Sequence, residues 1–286
     1  MAYDKSFYEE QSRGSRDSAG RIVPWLLSRF PIKSAADLGC GLGTWLAEFR
    51  ACGVEDIAGY DGDHVPRRYL QIPESAFHPV DLCGNPAFDR RFDLAISLET
   101  AEHLPVERAE DFVRGLTSLS DLVLFSAAVP YQGGTGHRNE NYPEFWAILF
   151  RKHGYIPLDI IREAFWNDGM VCPWYRQNML LFLKRELHAE RYAALSSAEG
   201  RPLTRIHPEL YLWSCVRSLA EPPDPAVFEA DKHYFYQLLD AWRENRDLPR
   251  DIRCRGPEFD IEYGEMSLWK RLRLKLAYHL HGRGTR

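Results

Sequence analysis

Long apolar runs are missing from this chain. Nowhere do about 18 apolar residues follow one another, so no membrane-spanning helix is expected. Paired cysteine motifs are missing as well. Cys40, Cys52, Cys83, Cys172, Cys215 and Cys254 are scattered without a CxxC pair, and no apolar leader stretch stands ahead of the first strand. Reduced thiols in a cytoplasm are the expectation. An excess of positive charge is absent too. Lys and Arg number 36 against 41 Asp and Glu, for a formal net charge of -5, so no global basic field exists to hold a long nucleic acid by counterion release. The 286 residues are 45% hydrophobic and 13% aromatic, which suffices for one sizeable core with an appended subdomain.

The stretch Ala36-Asp37-Leu38-Gly39-Cys40-Gly41-Leu42-Gly43-Thr44-Trp45 follows a short apolar run and leads into the helical periodicity of Leu46 to Phe49. That is a strand, a tight turn and a helix start. Alternate glycines let the chain reverse without a Cβ and let a ligand approach backbone N–H groups at the helix N-terminus, so a nucleotide-like cofactor is expected.

Around it, strands alternate with helices. Asp17-Ser18 would cap a helix running to Phe30. Strands are expected at Lys33 to Gly39, Val54 to Tyr60, Ala76 to Asp81, Phe92 to Leu98, Leu122 to Ala127, Tyr155 to Arg162 and Asn178 to Leu183. Helices are expected at Thr44 to Cys52, around Val65 to Leu70, from Pro105 through Leu119, and from Pro143 to His153. This alternation makes a doubly wound α/β, Rossmann-like, seven-stranded and mostly parallel sheet over residues 1–185. From Glu186 to residue 286 the pattern turns mainly helical (Ala189 to Ala198, Leu210 to Ala220, Ala226 to Arg246), broken by proline-bearing turns. The tail Leu268 to Leu276 is basic and amphipathic, and suits either an anionic lipid surface or packing on its own domain.

A dinucleotide fingerprint would need glycine where Thr44 stands, so a nicotinamide site is excluded. What remains, an acidic residue followed by alternate glycines (Asp37, Gly39, Gly41, Gly43), resembles motif I of class I S-adenosylmethionine-dependent methyltransferases, and the likeness extends over roughly Phe7 to Leu183. The physical sense fits: no pyrophosphate needs cradling, and the Asp37 carboxylate can face the cationic amine of the ligand. The resemblance implies that Asp61 binds the ribose hydroxyls, that Asp81-Leu82 meets the adenine, and that Ser97 to Glu99 flank the ligand. A carboxylate accepts two vicinal hydroxyl donors well.

Ser126-Ala127-Ala128, Gln132-Gly133-Gly134, His137, Asn139-Glu140, Trp146, Trp166, Trp174-Tyr175 and Gln177-Asn178 also resemble a bacterial methyltransferase group that often accompanies glycan and glycosyltransferase genes.

The acceptor belongs at the carboxyl edge of the fourth and fifth strands, where a doubly wound fold places ligands. A helical turn over Glu99-Thr100-Ala101-Glu102-His103 would converge Glu99, Glu102 and His103, with His137 arriving from the next loop. Two carboxylates and two imidazoles suit magnesium or manganese better than thiolate-bound zinc. This set resembles the metal site of two groups, the Hen-type small-RNA 3′-terminal 2′-O-methyltransferases and ubiquinone-pathway O-methyltransferases. Two chemistries stay open. In one, Glu99, Glu102, His103 and His137 hold a divalent ion that acidifies a hydroxyl. In the other, Glu102 caps the next helix, His103 packs near the cofactor, and His137 is the general base.

Tyr142, Trp146, Trp166, Trp174 and Tyr175 suit either a wall above the cofactor or the core, and Arg138 and Arg176 could grip an anionic acceptor. The expected activity is O-methylation of a sugar hydroxyl in a glycan, glycolipid or sugar-bearing metabolite. Two rivals stand beside it: 2′-O-methylation of an RNA 3′ end, disfavoured by the missing basic surface, and a non-catalytic cofactor-binding partner that docks on a glycosyltransferase through the tail.

Overall fold

The computed structural model describes residues 5–84, 86–212, 214, 225–250 and 252, with the backbone alone at 5–13 and 225–228. The expected tail at 268–276, most of the helix at 210–220, and Cys215 and Cys254 lie outside them.

Seven strands form one sheet in the order β3-β2-β1-β4-β5-β7-β6. They are β1 (Ser34–Leu38), β2 (Asp56–Asp61), β3 (Phe77–Pro79), β4 (Leu94–Leu98), β5 (Leu122–Ser126), β6 (Tyr155–Leu158) and β7 (Leu180–Lys184). All neighbours pair in parallel except β7, which runs antiparallel to both β5 and β6. β4 and β5 are buried along their whole length, as strands covered on both faces must be. Strand order reverses beside β1, where it pairs with both β2 and β4, and this switch point opens a crevice at the strand ends.

Helices α1 (Lys5–Leu27), α2 (Thr44–Ala51), α3 (Ala109–Leu119) and α4 (Pro143–Lys152) cover the sheet, with short helices α5 (Ile160–Phe165), α6 (Pro173–Asn178) and α7 (Arg185–Arg191). In α1, Ala19, Ile22, Val23 and Leu26 are fully buried, the i, i+3, i+4, i+7 stripe of an amphipathic helix. In α3 the stripe is Ala109, Phe112, Val113 and Leu116. Helix α8 (Pro225–Arg243) belongs to the C-terminal extension and packs on α4, burying Tyr234, Leu238, Ala241 and Trp242 in the same core as Phe145, Leu149 and Phe150.

Several sequence expectations differ in detail. The helix expected over Ala189 to Ala198 instead covers Arg185–Arg191. The first helix does not start at Asp17-Ser18. It begins at Lys5, and Ser18 is fully buried inside it, donating its hydroxyl to the Gly14 carbonyl at 2.7 Å and accepting the Cys172 N–H at 2.9 Å. Its side chain ties α1 to α6 instead of capping. The strand expected to reach Arg162 ends at Leu158. Arg162 grips Asp159 through two bonds of 2.5 and 2.7 Å, and a pair three residues apart needs a helical turn. Residues 65–70 hold only a 3₁₀ turn (Arg67–Tyr69). The strand expected from Asn178 starts at Leu180, because Asn178 closes the helical turn Pro173–Asn178.

The extension is tied to the sheet by buried polar clamps. The fully buried Glu144 carboxylate accepts the N–H groups of Leu203 and Thr204 at 2.7 and 2.9 Å and the Thr204 hydroxyl at 2.5 Å. Arg162, also fully buried, donates to the Leu203 carbonyl at 2.7 Å.

Candidate active site

At the end of β1 the glycine loop turns into α2. Gly39 has φ +86°, and a Cβ there would lie 2.2 Å from the Thr100 side chain, so only glycine fits. Asp61, ending β2, holds this loop from the side. One carboxylate oxygen accepts the Gly41 N–H at 2.7 Å and the other the Gly62 N–H at 2.6 Å. Gly43 precedes α2 without a side-chain cap, leaving the first-turn N–H groups to a ligand.

Asp37 lies beneath the loop, buried, with Oδ1 lacking any hydrogen-bond partner. Burial, and then the nearby Asp61 carboxylate, push its pKa well above the ordinary aspartate value. A buried carboxylate oxygen without a partner is costly and is satisfied by a cation. The residues therefore fit a ligand with a cationic amine, as S-adenosylmethionine has. Asp81, two residues beyond β3, is exposed and accepts the Cys83 N–H at 2.9 Å, while Leu82 packs partly into the core. Ser97 is fully buried in β4 with its hydroxyl unpartnered.

On the other side of the crevice, β4 runs into Glu99, whose φ is +51°. That left-handed residue breaks the turn before it starts. Only Ala101–His103 wind, and they do so as 3₁₀. The expected convergence of Glu99 with Glu102 and His103 therefore does not form. Glu99 turns aside to accept Gln132 Nε2 at 2.9 Å and Asn178 Nδ2 at 3.3 Å, and Asn178 also donates to Gln132 Oε1 at 2.8 Å. Burial raises its pKa even against these hydrogen bonds.

Glu102, His103 and His137 do come together, with one ligand atom from each lying within 4.8 Å of the others. Glu102 is fully buried and neither carboxylate oxygen has a hydrogen-bond partner. Burial and the Glu99 carboxylate push its pKa well up. The imidazoles of His103 and His137 meet edge to face, centroids 4.9 Å apart. His103 donates from Nδ1 to the Gly136 carbonyl at 3.3 Å. A buried carboxylate facing two imidazoles, one of them held through Nδ1, is a donor set that fits a divalent cation.

One residue with a clear role was given none by sequence reasoning. Glu140, buried, accepts His137 Nδ1–H at 2.9 Å, the Gly133 N–H at 2.6 Å and the Tyr131 N–H at 3.0 Å. It fixes the ring so that Nε2 is the working nitrogen. The signal was a carboxylate three residues after a histidine in a glycine-rich loop. Gly134 serves the same ring, since a Cβ there would stand 2.2 Å from His137 Nε2. The aromatics divide. Trp146 is core, packed on Phe125 and Phe145, and Tyr175 is buried against Trp45, its hydroxyl shared with Ser15. Tyr142 packs on Phe235 of α8, Trp166 on His207 and Trp174 on Tyr175. Arg176 is engaged within the protein. It is buried and bound to Glu209 at 3.0 Å and the Trp166 carbonyl at 3.4 Å, with Nε left without a partner, whereas Arg138 is exposed.

Comparison with known proteins supplies the family. Among curated proteins none matches the chain. Three solved structures share parts of the fold. DesVI of Streptomyces venezuelae is 21% identical (TM-score 0.38), over 48% of this chain and 63% of that one. An O-methyltransferase family protein of Burkholderia thailandensis is 14% identical (TM-score 0.47), over 63% of this chain and 57% of that one. The sugar N-methyltransferase KedS8 of Streptoalloteichus sp ATCC 53650 is 15% identical (TM-score 0.49), over 65% and 96%. The chain thus spans less than two thirds of the length of the first two. Residues 21–169, from α1 through the site loops to the segment after α5, match the family described as a methyltransferase domain. The chain belongs to that methyltransferase-domain family.

Proposed function

We propose that the chain transfers a methyl group from S-adenosylmethionine to a sugar hydroxyl in a glycan, glycolipid or sugar-bearing metabolite, in the cytoplasm. The observation that carries this reading is the unpartnered Glu102 carboxylate gathered with His103 and His137 across the crevice from the glycine loop. Asp37 balances the donor's amine, Asp61 receives ribose hydroxyls, and Asp81 with Leu82 borders the adenine. Bound by Glu102, His103 and His137, magnesium or manganese would supply the positive charge that acidifies a sugar hydroxyl. Without an ion, His137 Nε2 takes the hydroxyl proton while Glu140 holds Nδ1–H and stabilises the imidazolium formed. Glu99, Gln132 and Asn178 present amide and carboxylate groups beside this point, polar partners suited to neighbouring hydroxyls.

The test is transfer of labelled methyl from S-adenosylmethionine to a panel of nucleotide sugars, oligosaccharides and glycolipids, beside short RNA 3′ ends. Labelling of a sugar oxygen is expected. Salt-sensitive labelling of RNA alone would replace the sugar with a 2′-hydroxyl. Loss of activity on chelation selects the ion-assisted form, and survival selects His137 as base.

A further inference from the structure

Tyr131, in the loop that carries His137, has φ +70°, a backbone state that residues with side chains rarely adopt. Such a state persists only where the surroundings fix it from several sides. Here its ring hydroxyl donates to Asp231 Oδ2 on α8 at 2.6 Å. Its carbonyl accepts the Ser214 hydroxyl at 3.1 Å. Its N–H donates to Glu140 Oε2 at 3.0 Å, and the other oxygen of Glu140 holds His137. Two of these restraints come from the C-terminal extension, and Asp231 lies 100 residues away in sequence.

We propose that the extension is a working part of the active site, with Asp231 and Ser214 as positioning residues that set the tautomer and aim of His137 through Tyr131 and Glu140. Freed from Asp231, Tyr131 relaxes toward negative φ and its N–H swings away from Glu140. That buried carboxylate then loses a donor and reorients. The imidazole fills the space beside Gly134 that a Cβ would need, so its ring stays in place while its partner at Nδ1 changes. The inference rests on the reading of His137 as the residue that acts on the acceptor, and carries it into a region of the chain outside the family match.

The experiment is long-range nitrogen–proton NMR on the full-length, metal-free chain labelled at histidine, at mildly alkaline pH where imidazole is neutral. Wild type is expected to show His137 protonated at Nδ1. In Asp231→Ala and Tyr131→Phe the ratio of Nδ1–H to Nε2–H falls about tenfold, the scale of weakening one hydrogen bond to a charged group. Asp231→Asn, whose amide oxygen accepts the same bond, restores the wild-type signal. Lys232→Ala, exposed on the same helix, leaves it unchanged. A wild-type tautomer in folded Asp231→Ala and Tyr131→Phe would overturn the proposal. Full methyl transfer by His137→Ala would instead remove the catalytic reading and leave the tautomer result standing.

Discussion

The two banks of the crevice are built in opposite ways. The donor bank lies between Asp37 and Asp61, and its tightest bonds join the glycine loop to the end of the next strand. The acceptor bank is assembled from afar: Glu99 meets Gln132 and Asn178, and Tyr131 reaches Asp231. A local, backbone-held site suits a ligand that never changes. A site pinned from distant segments can be re-tuned for a new acceptor by altering the extension alone.

The sharpest way to break this comparison is His137→Ala. It is expected to lower methyl transfer by about 10²–10⁴-fold, the range for a general acid or base, while S-adenosylhomocysteine affinity by calorimetry stays at the wild-type value. An affinity loss as large as the activity loss would mean that the banks are not separate. Asp61→Ala does the reverse. Two charge-assisted bonds to Gly41 and Gly62 disappear, and affinity for S-adenosylhomocysteine should fall about tenfold or more. Unchanged affinity would sink the ribose assignment.

Asp37 gives a smaller effect of unusual sign. Its folded pKa is raised above the unfolded value of about 3.9, so the folded state keeps the proton longer. Stability is then fullest below that unfolded value and is lost as pH rises toward the folded pKa. Asp37→Asn should therefore stabilise the ligand-free protein at neutral pH, by roughly 1–3 kcal/mol, yet weaken donor binding. Urea melts across the acid range, with and without S-adenosylhomocysteine, measure both. A variant less stable than wild type at neutral pH would show that Asp37 is paired in the free protein. The smallest effect is Thr204→Val, which removes one bond to Glu144 and should cost about 1 kcal/mol in thermal unfolding with donor affinity intact.

The same contrast decides what was legible in the sequence. The donor bank could be read because its determinants are neighbours: Thr44 excluded a dinucleotide, and Asp37 with the alternate glycines pointed to a methyl donor. The sheet was legible for the same reason, since β4 and β5 are nearly continuous apolar runs. Glu99 was misplaced because a non-glycine φ of +51° leaves no trace in composition, and one left-handed residue redirects the whole turn. The α1 boundary was misplaced because Ser18 is a buried tether that looks like a cap. Asp231 could not be found at all. Nothing local distinguishes it from other acidic residues on an amphipathic helix, and only the fold brings it to Tyr131.

The most direct measurement is transfer of labelled methyl from S-adenosylmethionine to a sugar acceptor by wild type and by His137→Ala, with donor affinity measured on the same samples. The account predicts a labelled sugar hydroxyl with wild type, near-complete loss in the variant, and equal donor affinity in both. Equal labelling by the two proteins would contradict it.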